Sequence, residues 1–490
     1  MKLKIKPLKL ITGGTFVAVL NKNDAEIMDL YPGNRIKIKS NGREITSVID
    51  LTEESVSPGE IGLFNEILSD LDVKGDYVEV NIAEKLNSVY LIRKKLDGKK
   101  LNKKEINDIV KDIVNNNLSE VELTYFVSGC YANDLDHNEI INLTKSIVNN
   151  GNKLGLDNEI ILDKHSIGGI PGNRTSMIVV PIIAAAGYKI PKTSSRSITS
   201  PSGTSDTMEV LSEVSFPVEE IKKIVKKTNG CLVWGGAVNL ASADDKLIRV
   251  RNPISLDPEG MLLASIIAKK AAVNATHVLI DIPVGRGSKI SDKKDALRLR
   301  NKFIMLANKF NMKIKVMFTD GRQPIGNGIG PALEAIDVLR VLQGGGSETL
   351  REKSLKIASL MLEMAGEKNA DDKASNILDS GLAYEKMKEI IEAQNGNPDI
   401  KIKDIKIGRY EYNLNSNKSG IISNINNNII SKIARIAGAP NDKSAGIYLN
   451  AHLNDFVKKN ATLFTIYSKS REKLEYAADM IKMDNPVLIK

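Results

Sequence analysis

Between residue 151 and about residue 400, apolar segments typical of buried strands alternate with segments of helical periodicity. HVLIDI from His277 and MKIKVMFT from Met312 are strand-like, whereas PALEAIDVLRVL from Pro331 is typical of a helix. Strands that alternate with helices favour a parallel sheet covered by helices. The centre of the chain is therefore predicted to form a large α/β domain, which restricts the whole protein to a multidomain α/β fold.

The segments on either side of this centre follow other patterns. Residues 1–85 contain short strand-like segments separated by glycine and Asn-Gly turns, which predicts a small β domain at the N-terminus. From Asn102, apolar residues recur with helical spacing, and Glu105 three residues later is typical of a capped helix start. Residues 405–490 return to short strand-like segments around a helix and are predicted to form an α+β domain.

Composition limits the kinds of partner that need to be considered. With 42% hydrophobic and 26% charged residues the chain is typical of globular proteins, and its net charge of +9 predicts attraction to anions. Cys130 and Cys231 lack the spacing of a disulfide framework or a zinc site, so we expect a reducing cytoplasm and no metal. The longest strongly apolar run, residues 177–186, contains Pro181 and is too short to cross a membrane.

A basic stretch at residues 93–104 is the feature that suggests nucleic-acid binding. Seven Lys and Arg residues surround Asp97 there. Aromatic residues, which would stack on bases, make up only 4% of the chain and are not interleaved with these cations. We therefore expect a solvated helix face or junction and no nucleic-acid partner, and an RNA-binding protein stays the non-enzymatic alternative.

The first segment with chemical character is DKHSIGGIPGNRTS at residues 163–176. It has the order of a strand end, a glycine loop and a helix start. Backbone N–H groups of such loops approach an oxyanion closely, and the helix start adds partial positive charge. Lys164, Ser166, Arg174 and Ser176 add side-chain donors, so phosphate is the natural ligand. A plain glycine turn between a strand and a helix is the alternative.

A second loop, residues 193–206, is dense in hydroxyl groups and contains Arg196. It follows another apolar segment and precedes the helix-like MEVLSEV, so Thr204 or Ser205 also fits an ordinary helix cap. Two such loops lie about thirty residues apart, which favours a pair of substrates that together carry two phosphates.

A third segment, residues 257–269, is predicted to be a helix in which Asp257 is the N-cap and Pro258 the first residue. Ser265 and Lys269 are four residues apart and share one face of that helix. They form a polar pair on an otherwise apolar helix, although Lys269 also fits an ordinary surface lysine near a helix end.

Together, the three segments resemble the thymidine phosphorylase family. The matching motifs are Lys-His-Ser-x-Gly-Gly at residues 164–169, Ser-x-Arg followed by Gly-Thr-x-Asp at residues 194–206, and Arg251 followed by Ser265-x-x-x-Lys269. The resemblance covers roughly residues 90–490. The β domain ahead of it looks like the extension of the archaeal branch that is specific for nucleoside monophosphates.

This resemblance implies a small helical domain in two pieces, residues 90–150 and 244–272, and an α/β phosphate-binding domain, residues 151–243 and 273–400. The substrate is expected in a cleft between these domains. The implied reaction is phosphorolysis of AMP, and of other nucleoside 5′-monophosphates such as CMP and UMP, to the free base and ribose 1,5-bisphosphate. Inorganic phosphate is then a co-substrate and no cofactor is expected. The resemblance also implies at least a homodimer, with the N-terminal domain as a surface for larger assembly.

The family's functional positions carry over residue by residue. The positions that match its phosphate ligands are Lys164, Ser166, Ser176, Ser194 and Thr204, with His165 and Arg174 as further candidates. The positions that would contact the nucleotide are Gly169, Ser195, Arg196, Ser197, Ile198, Thr199, Ser200, Thr204, Arg251, Ser265, Lys269 and Lys289. Asp257 matches the proton donor of the nucleotide-specific branch across a one-residue gap.

Departures from the nucleoside-cleaving members favour a nucleotide substrate. Hydroxyl residues and Pro201 replace a glycine-rich loop of those enzymes, and Lys289 stands at a position that is usually aromatic there. A 5′-phosphate brings a dianion that needs such donors, whereas a nucleoside does not. A pyrimidine nucleoside phosphorylase stays the alternative enzyme, and a phosphoribosyltransferase that uses magnesium-bound diphosphate stays an alternative of related fold.

Overall fold

The structure is a computed structural model that describes residues 1–490 except 13–15, 74, 157–159, 198, 199, 239 and 255. Contacts among the described residues divide the chain into two compact units. The first contains Met1–Gly151 and Ala241–Ser265, and the second contains Asn152–Leu240 and Ile266–Lys490. Residues 266–272, expected in the helical domain, belong to the second unit, and the other domain boundaries stay a prediction.

The strands and helices follow one another along the chain in the order of their numbers. The strands are β1 Lys2–Pro7, β2 Val17–Asn21, β3 Arg35–Ser40, β4 Arg43–Thr52, β5 Glu60–Leu63, β6 Tyr77–Ile82, β7 Leu162–Ser166, β8 Ile190–Ser194, β9 Gly230–Trp234, β10 His277–Val284, β11 Lys313–Asp320, β12 Gly328–Ile329, β13 Tyr410–Asn415, β14 Gly420–Ile425, β15 Gly446–Leu449, β16 Phe456–Val457, β17 Thr462–Ser468 and β18 Val487–Ile489. The helices are α1 Lys22–Ile27, α2 Asn65–Leu71, α3 Asn87–Leu96, α4 Lys103–Val114, α5 Glu120–Ala132, α6 His137–Asn149, α7 Ser176–Ala185, α8 Thr204–Met208, α9 Val218–Thr228, α10 Ser242–Arg251, α11 Glu259–Ala272, α12 Lys293–Asn308, α13 Pro331–Leu342, α14 Glu348–Met364, α15 Ala370–Asp379, α16 Leu382–Ala393, α17 Asn427–Ile436 and α18 Arg471–Met483.

The N-terminal part of the first unit is a closed barrel of strands in the order β1-β5-β2-β4-β3-β6. Alternate residues of these strands, such as Ile36 and Ile38 on β3, are fully buried inside it. Five of the strands overlap the strand-like segments KLKIK, FVAVL, RIKIKS, EITSVIDL and YVEVNIA that the sequence predicts in residues 1–85. The short EIGL of β5 shows no such pattern, because four residues are too few for an alternation to emerge.

The helical part of the first unit contains α3 to α6 and α10. The capping box predicted at the start of α4 is confirmed, because Asn102 accepts from the Glu105 N–H and the Glu105 carboxylate accepts from the Asn102 N–H. The neighbouring basic stretch is partly internal. Lys95 is 1% exposed and lies 3.0 Å from Glu139, and Lys94 lies 2.7 Å from Glu105. Its lysines therefore contribute to bundle packing as well as to surface charge.

The second unit is built around the parallel sheet β11-β10-β7, beside which β8 and β9 form a parallel pair. The helices α7, α13, α14 and α16 bury their apolar residues in one core with these strands. Strands covered on both faces need near-continuous apolar sequence, which is why β10 was recognisable in HVLIDI. The loops that follow β7 and β8 begin at the carboxyl ends of these strands and contain the first two motifs.

The C-terminal part of the second unit contains the antiparallel sheet β12-β15-β17-β13, the sheet β16-β14-β18, and the helices α17 and α18. A separate apolar core that includes Ile430, Ile447 and Phe464 holds these elements together. Within the described part of the chain, no helix has the length and apolar character of a membrane-spanning segment.

Candidate active site

Lys164 lies on β7 and is buried, with 2% of its surface exposed. Its Nζ donates a hydrogen bond to the Thr175 hydroxyl oxygen, 2.5 Å away. Among the residues that the structure describes, Lys164 forms no ion pair. Burial lowers the pKa of Lys164 to about 7 against the opposing charge of the Asp281 carboxylate. An ammonium buried in this way is a site for an anion.

The surroundings of Lys164 contain more buried cations than buried carboxylates. The cations are Lys164, Arg174, Lys192, Lys270 and Lys353, and the carboxylates are Asp163, Asp281 and Glu334. Lys270 Nζ lies 2.7 Å from Asp163 Oδ2. Lys353 Nζ lies 2.9 Å from Asp281 Oδ2, and Arg174 pairs with Glu334. Each of these carboxylates has a cationic partner in the protein, whereas Lys164 has none among the described residues, so its charge is available to a bound anion.

The loop between β7 and α7 depends on glycines in the left-handed region. Gly169 has φ +93°, and a Cβ built on it would lie 2.8 Å from the backbone nitrogen of Lys289. Gly172 has φ +72°, and a Cβ there would lie 2.2 Å from the carbonyl oxygen of Ile325. Both positions therefore require glycine. The close approach also brings together Gly169 and Lys289, two residues predicted to contact the nucleotide.

Two of the predicted phosphate ligands lie at the ends of this loop. Ser166 is the last residue of β7, and its hydroxyl accepts a hydrogen bond from the Asn173 side chain at 3.3 Å. Ser176 is the first residue of α7 and is buried. Their hydroxyl groups and the Lys164 ammonium thus belong to one short stretch of chain, in agreement with the predicted anion loop.

Arg174 connects this loop to the loop after β8. Its side chain is buried and pairs with Glu334 on α13. Its NH1 nitrogen donates to the Thr204 hydroxyl at 3.1 Å, and its NH2 nitrogen donates to the Ser202 carbonyl at 2.5 Å. Arg174 therefore holds Thr204, a predicted phosphate ligand, close to the glycine loop.

The carboxylate of Asp206 holds the second loop in shape. Its Oδ2 accepts the N–H of Ser197 at 2.6 Å and the N–H of Gly203 at 2.7 Å. Ser194 ends β8, and its hydroxyl oxygen lies 2.7 Å from that of Ser205. Several residues of this loop are predicted to contact the nucleotide. The structure describes four of them, Ser195, Arg196, Ser197 and Ser200, whereas Ile198 and Thr199 lie outside the described residues.

Arg196 is engaged by groups of the protein itself. Its NH2 and NH1 nitrogens lie 2.7 Å and 2.8 Å from the two carboxylate oxygens of Glu209, and its guanidinium stacks over Trp234 at 4.9 Å. Lys443 approaches the same carboxylate at 3.0 Å. Hydrogen bonds from Arg196, reinforced by Lys443, lower the pKa of Glu209 to about 2. The structure thus shows that Arg196 holds the loop to Glu209 and Trp234.

Successive residues of β7 point to opposite faces of the sheet. Lys164 and Ser166 share one face, whereas Asp163 and His165 share the other. Burial, followed by the charge of Lys270, lowers the pKa of His165 well below 6.5. His165 is therefore a neutral imidazole at physiological pH.

The first unit contains three further predicted positions, which are Arg251, Asp257 and Ser265. Arg251 ends α10 and is buried, and its NH1 nitrogen lies 3.2 Å from Asp257 Oδ1. The hydroxyl of Ser265 donates to Asp244 Oδ2 at 2.6 Å. Lys269, on the part of α11 that belongs to the second unit, contributes to the positive charge around His165.

The predicted start of the third helix is wrong. The helix α11 begins at Glu259, and its first backbone hydrogen bond joins the Leu262 N–H to the Pro258 carbonyl at 3.0 Å. Pro258 therefore occupies the N-cap position, and Asp257 precedes it. The Asp-Pro pair does not by itself fix which of the two residues caps the helix. In the structure, the side chain of Asp257 contacts Arg251, which lies on the preceding helix α10.

Sequence reasoning missed much of the charge cluster. Lys192 on β8 and Lys353 on α14 have polar neighbours in the chain, whereas Asp281 on β10 and Lys270 on α11 lie in segments whose other residues are mostly apolar. A charge inside such a segment needs a buried partner, so each interruption was a usable signal. The partners themselves come from distant parts of the chain. In the described residues, no group of three or more His, Cys, Asp or Glu side chains is arranged to hold a metal ion.

Three family models match this chain. The helical bundle domain of a glycosyl transferase family matches residues 89–151, and the a/b domain of that family matches residues 158–384. The pyrimidine nucleoside phosphorylase C-terminal domain matches residues 421–487. The multidomain α/β class predicted from the sequence is thereby confirmed.

Curated relatives match the chain from end to end. An AMP phosphorylase of Methanococcoides burtonii is 43% identical over 495 residues, which cover 100% of this chain and 97% of the relative. Those of Thermococcus sibiricus and Pyrococcus furiosus are each 44% identical and cover 100% of this chain and 98% of the relative. This chain belongs to the AMP phosphorylase family. The resemblance inferred from the three motifs is confirmed.

Among solved structures, anthranilate phosphoribosyltransferase from Thermus thermophilus has a similar fold. The match has a TM-score of 0.52 and 15% sequence identity, and it covers 62% of this chain and 99% of the other. At this identity the likeness concerns the fold alone.

Proposed function

We propose that the protein is a pentosyltransferase that cleaves AMP with inorganic phosphate to give adenine and ribose 1,5-bisphosphate. The observation that carries this proposal is the Lys164 ammonium, which is buried without an ion pair among the described residues. It lies in a cluster with more cations than carboxylates. Inorganic phosphate is the small dianion that such a cluster stabilises best.

In the proposed reaction, Lys164 and the hydroxyl groups of Ser166, Ser176, Ser194 and Thr204 hold the attacking phosphate. A phosphate oxygen forms a bond to C1′ of the ribose from the face opposite adenine, while the bond between C1′ and the base breaks. The protein contributes position and positive charge, so no covalent enzyme intermediate and no cofactor are needed. Adenine leaves with a proton, because the unprotonated base is a poor leaving group.

The nucleotide is proposed to contact Gly169 and Lys289 through its own phosphate. The approach of Lys289 to Gly169 supports this assignment, since the backbone nitrogen and the Cγ of Lys289 lie beside the glycine loop. The loop held by Asp206 adds further hydroxyl donors. A nucleoside lacks the group that these donors would bind, so adenosine is expected to be a poor substrate.

Asp257 is proposed to protonate the leaving base, and Arg251, Ser265 and Lys269 to contact it. Arg251 NH1 lies 3.2 Å from Asp257 Oδ1, which places the Asp257 carboxylate beside a residue proposed to contact the base and supports this assignment. A hydroxyl and an ammonium group suit several bases, so we also expect cleavage of CMP and UMP.

The proposal is tested by incubating the protein with AMP, with and without inorganic phosphate, and measuring free adenine and the sugar product. We expect adenine and a sugar bisphosphate only when both AMP and phosphate are present. Adenosine and uridine serve as controls that lack the 5′-phosphate. Release of adenine without phosphate, or equal cleavage of adenosine and AMP, would contradict the proposal.

We further propose that the protein forms at least a dimer. On α5, Val121 and Tyr125 are four residues apart and are 63% and 55% exposed, which gives this helix an apolar surface typical of an interface. Light scattering of the purified protein should give a mass of at least two chains, and a monomeric mass would refute this.

A further inference from the structure

On the neighbouring strand β10, Asp281 lies two residues beyond Leu279, the register partner of Lys164. Asp281 on β10 stands in register with Ser166 on β7, so its side chain lies on the same face of the sheet as those of Ser166 and Lys164. The strand segment of Asp281 is otherwise apolar, and the side chain is 1% exposed. A carboxylate in this position must interact with the cations above it.

Two residues hold the Asp281 carboxylate from the other side. The hydroxyl of Thr319 on β11 donates to Asp281 Oδ1 at 2.6 Å. Lys353 on α14 places its Nζ 2.9 Å from Oδ2. Neither Asp281 Oδ2 nor Lys353 Nζ has a well-aligned hydrogen bond, so the oxygen retains capacity to accept from a second donor. Thr319 thus orients the Asp281 carboxylate, and Lys353 leaves its Oδ2 able to accept a hydrogen bond from another donor.

We propose that Asp281, oriented by Thr319 and shared with Lys353, is a positioning residue whose carboxylate keeps the Lys164 ammonium charged for the binding of phosphate. The inference rests on the proposed function in one respect, namely that the anion at Lys164 is the phosphate used in the reaction. Lys353 has the opposite effect, because it competes for the same carboxylate and repels a second ammonium.

Every charged group around Lys164 enters this balance. These groups are Asp281 on β10, Lys353 on α14, Lys192 on β8, Arg174 in the loop before α7 and, one layer further away, Asp163, Lys270 and Glu334. Of those that act directly on Lys164, Asp281 alone raises its pKa, whereas Lys353, Lys192 and Arg174 lower it. Loss of Asp281 and loss of Lys353 should therefore change the protonation of Lys164 in opposite directions.

The test is the pH dependence of kcat/KM for inorganic phosphate in Asp281→Asn and Lys353→Met, with AMP saturating. In Asp281→Asn, the loss of activity at alkaline pH should begin about one pH unit or more below that of the wild type. In Lys353→Met it should begin at higher pH. The ionisation of phosphate itself is common to all variants and cancels in the comparison. The KM for phosphate should rise at neutral pH in Asp281→Asn, with little change of kcat at acidic pH.

A double variant and a control separate this role from mere support of the fold. Asp281→Asn with Lys353→Met removes both charges together and leaves no buried ion unpaired, so it should fold and give an intermediate pH profile. Asp337→Asn neutralises a buried carboxylate of the same unit that is not among the neighbours of Lys164, and it should leave the profile unchanged. If Lys353→Met fails to fold, the double variant must still lose its activity at a higher alkaline pH than Asp281→Asn does.

The inference is overturned if Asp281→Asn and Lys353→Met shift the profile in the same direction, or if neither shifts it. Calorimetric binding of inorganic phosphate alone, measured over the same pH range, makes this outcome independent of catalysis. A wild-type protein that binds phosphate but does not cleave AMP would refute the proposed function and leave the Asp281 test intact.

Discussion

Replacing Lys164 by Met tests whether the charge cluster is built for an anion. Without a ligand, the folded protein holds Lys164 with a pKa of about 7 instead of the ordinary 10.5. This difference corresponds to at most roughly 5 kcal/mol of unfavourable free energy when Lys164 is charged. Lys164→Met removes that penalty and keeps the apolar length of the side chain. In the absence of phosphate, the variant should therefore be more stable than the wild type at slightly acidic pH.

The sign of the pH dependence follows from proton binding. The pKa of Lys164 is lowered on folding, so between about pH 7 and pH 10.5 the unfolded chain binds more protons at this residue than the folded chain. The stability of the wild type should therefore rise with pH across this window. The penalty is fully present below about pH 7 and is relieved towards pH 10.5. The stability advantage of Lys164→Met should shrink over the same range.

The assay is urea unfolding of both proteins at several pH values, with and without inorganic phosphate. Phosphate binds the folded state alone, so it should stabilise the wild type more than the variant and narrow the difference between the two proteins near neutral pH. Lys164→Met removes the charge-assisted hydrogen bonds that Lys164 would donate to phosphate. The variant should therefore bind phosphate with an affinity about 10- to 100-fold lower. Equal stabilisation of both proteins by phosphate, or a pH dependence that Lys164→Met does not change, would refute the reasoning.

Three further substitutions test other parts of the site. Asp257→Asn should lower kcat for AMP by about 100-fold or more while changing KM little, as measured in steady-state kinetics, because it removes the proposed acid; equal changes in both would indicate a structural role. Gly169→Ala should raise the KM for AMP about tenfold or more, since the added Cβ would lie 2.8 Å from the Lys289 backbone nitrogen; an unchanged KM would contradict that contact. Glu209→Gln should cost about 1 kcal/mol at neutral pH, a value reduced by the partial exposure of the pair. Because Arg196 lowers the pKa of Glu209 from 4.5 to about 2, this difference should vanish as pH falls through that range, which acid titration of unfolding detects.

The loops predicted to bind anions could be proposed from the sequence because their chemistry is local. Lys164, Ser166 and Ser176 lie within one short segment, and glycines between them leave a turn that approaches other backbone closely. The capping box of Asn102 and Glu105 was predictable for the same reason, since both partners lie within one turn of helix.

The partners of these residues were not predictable, because they come from remote elements. Arg174 pairs with Glu334, which is 160 residues away, and Lys270 with Asp163, which is 107 residues away. Sequence shows that a charge interrupts an apolar segment, but not which opposite charge lies beside it. The role expected of Arg196 illustrates this limit, because Glu209 and Trp234 occupy its guanidinium in the structure.

The sequence by itself determined most of the strands and helices, the loops predicted to bind anions, and the family to which the chain is related, because these depend on local spacing and composition. Only the tertiary structure decided which charges share a buried space and which ammonium remains without a carboxylate. The physical reason is that burial and ion pairing depend on distances between residues far apart in the chain, and those distances exist only after folding.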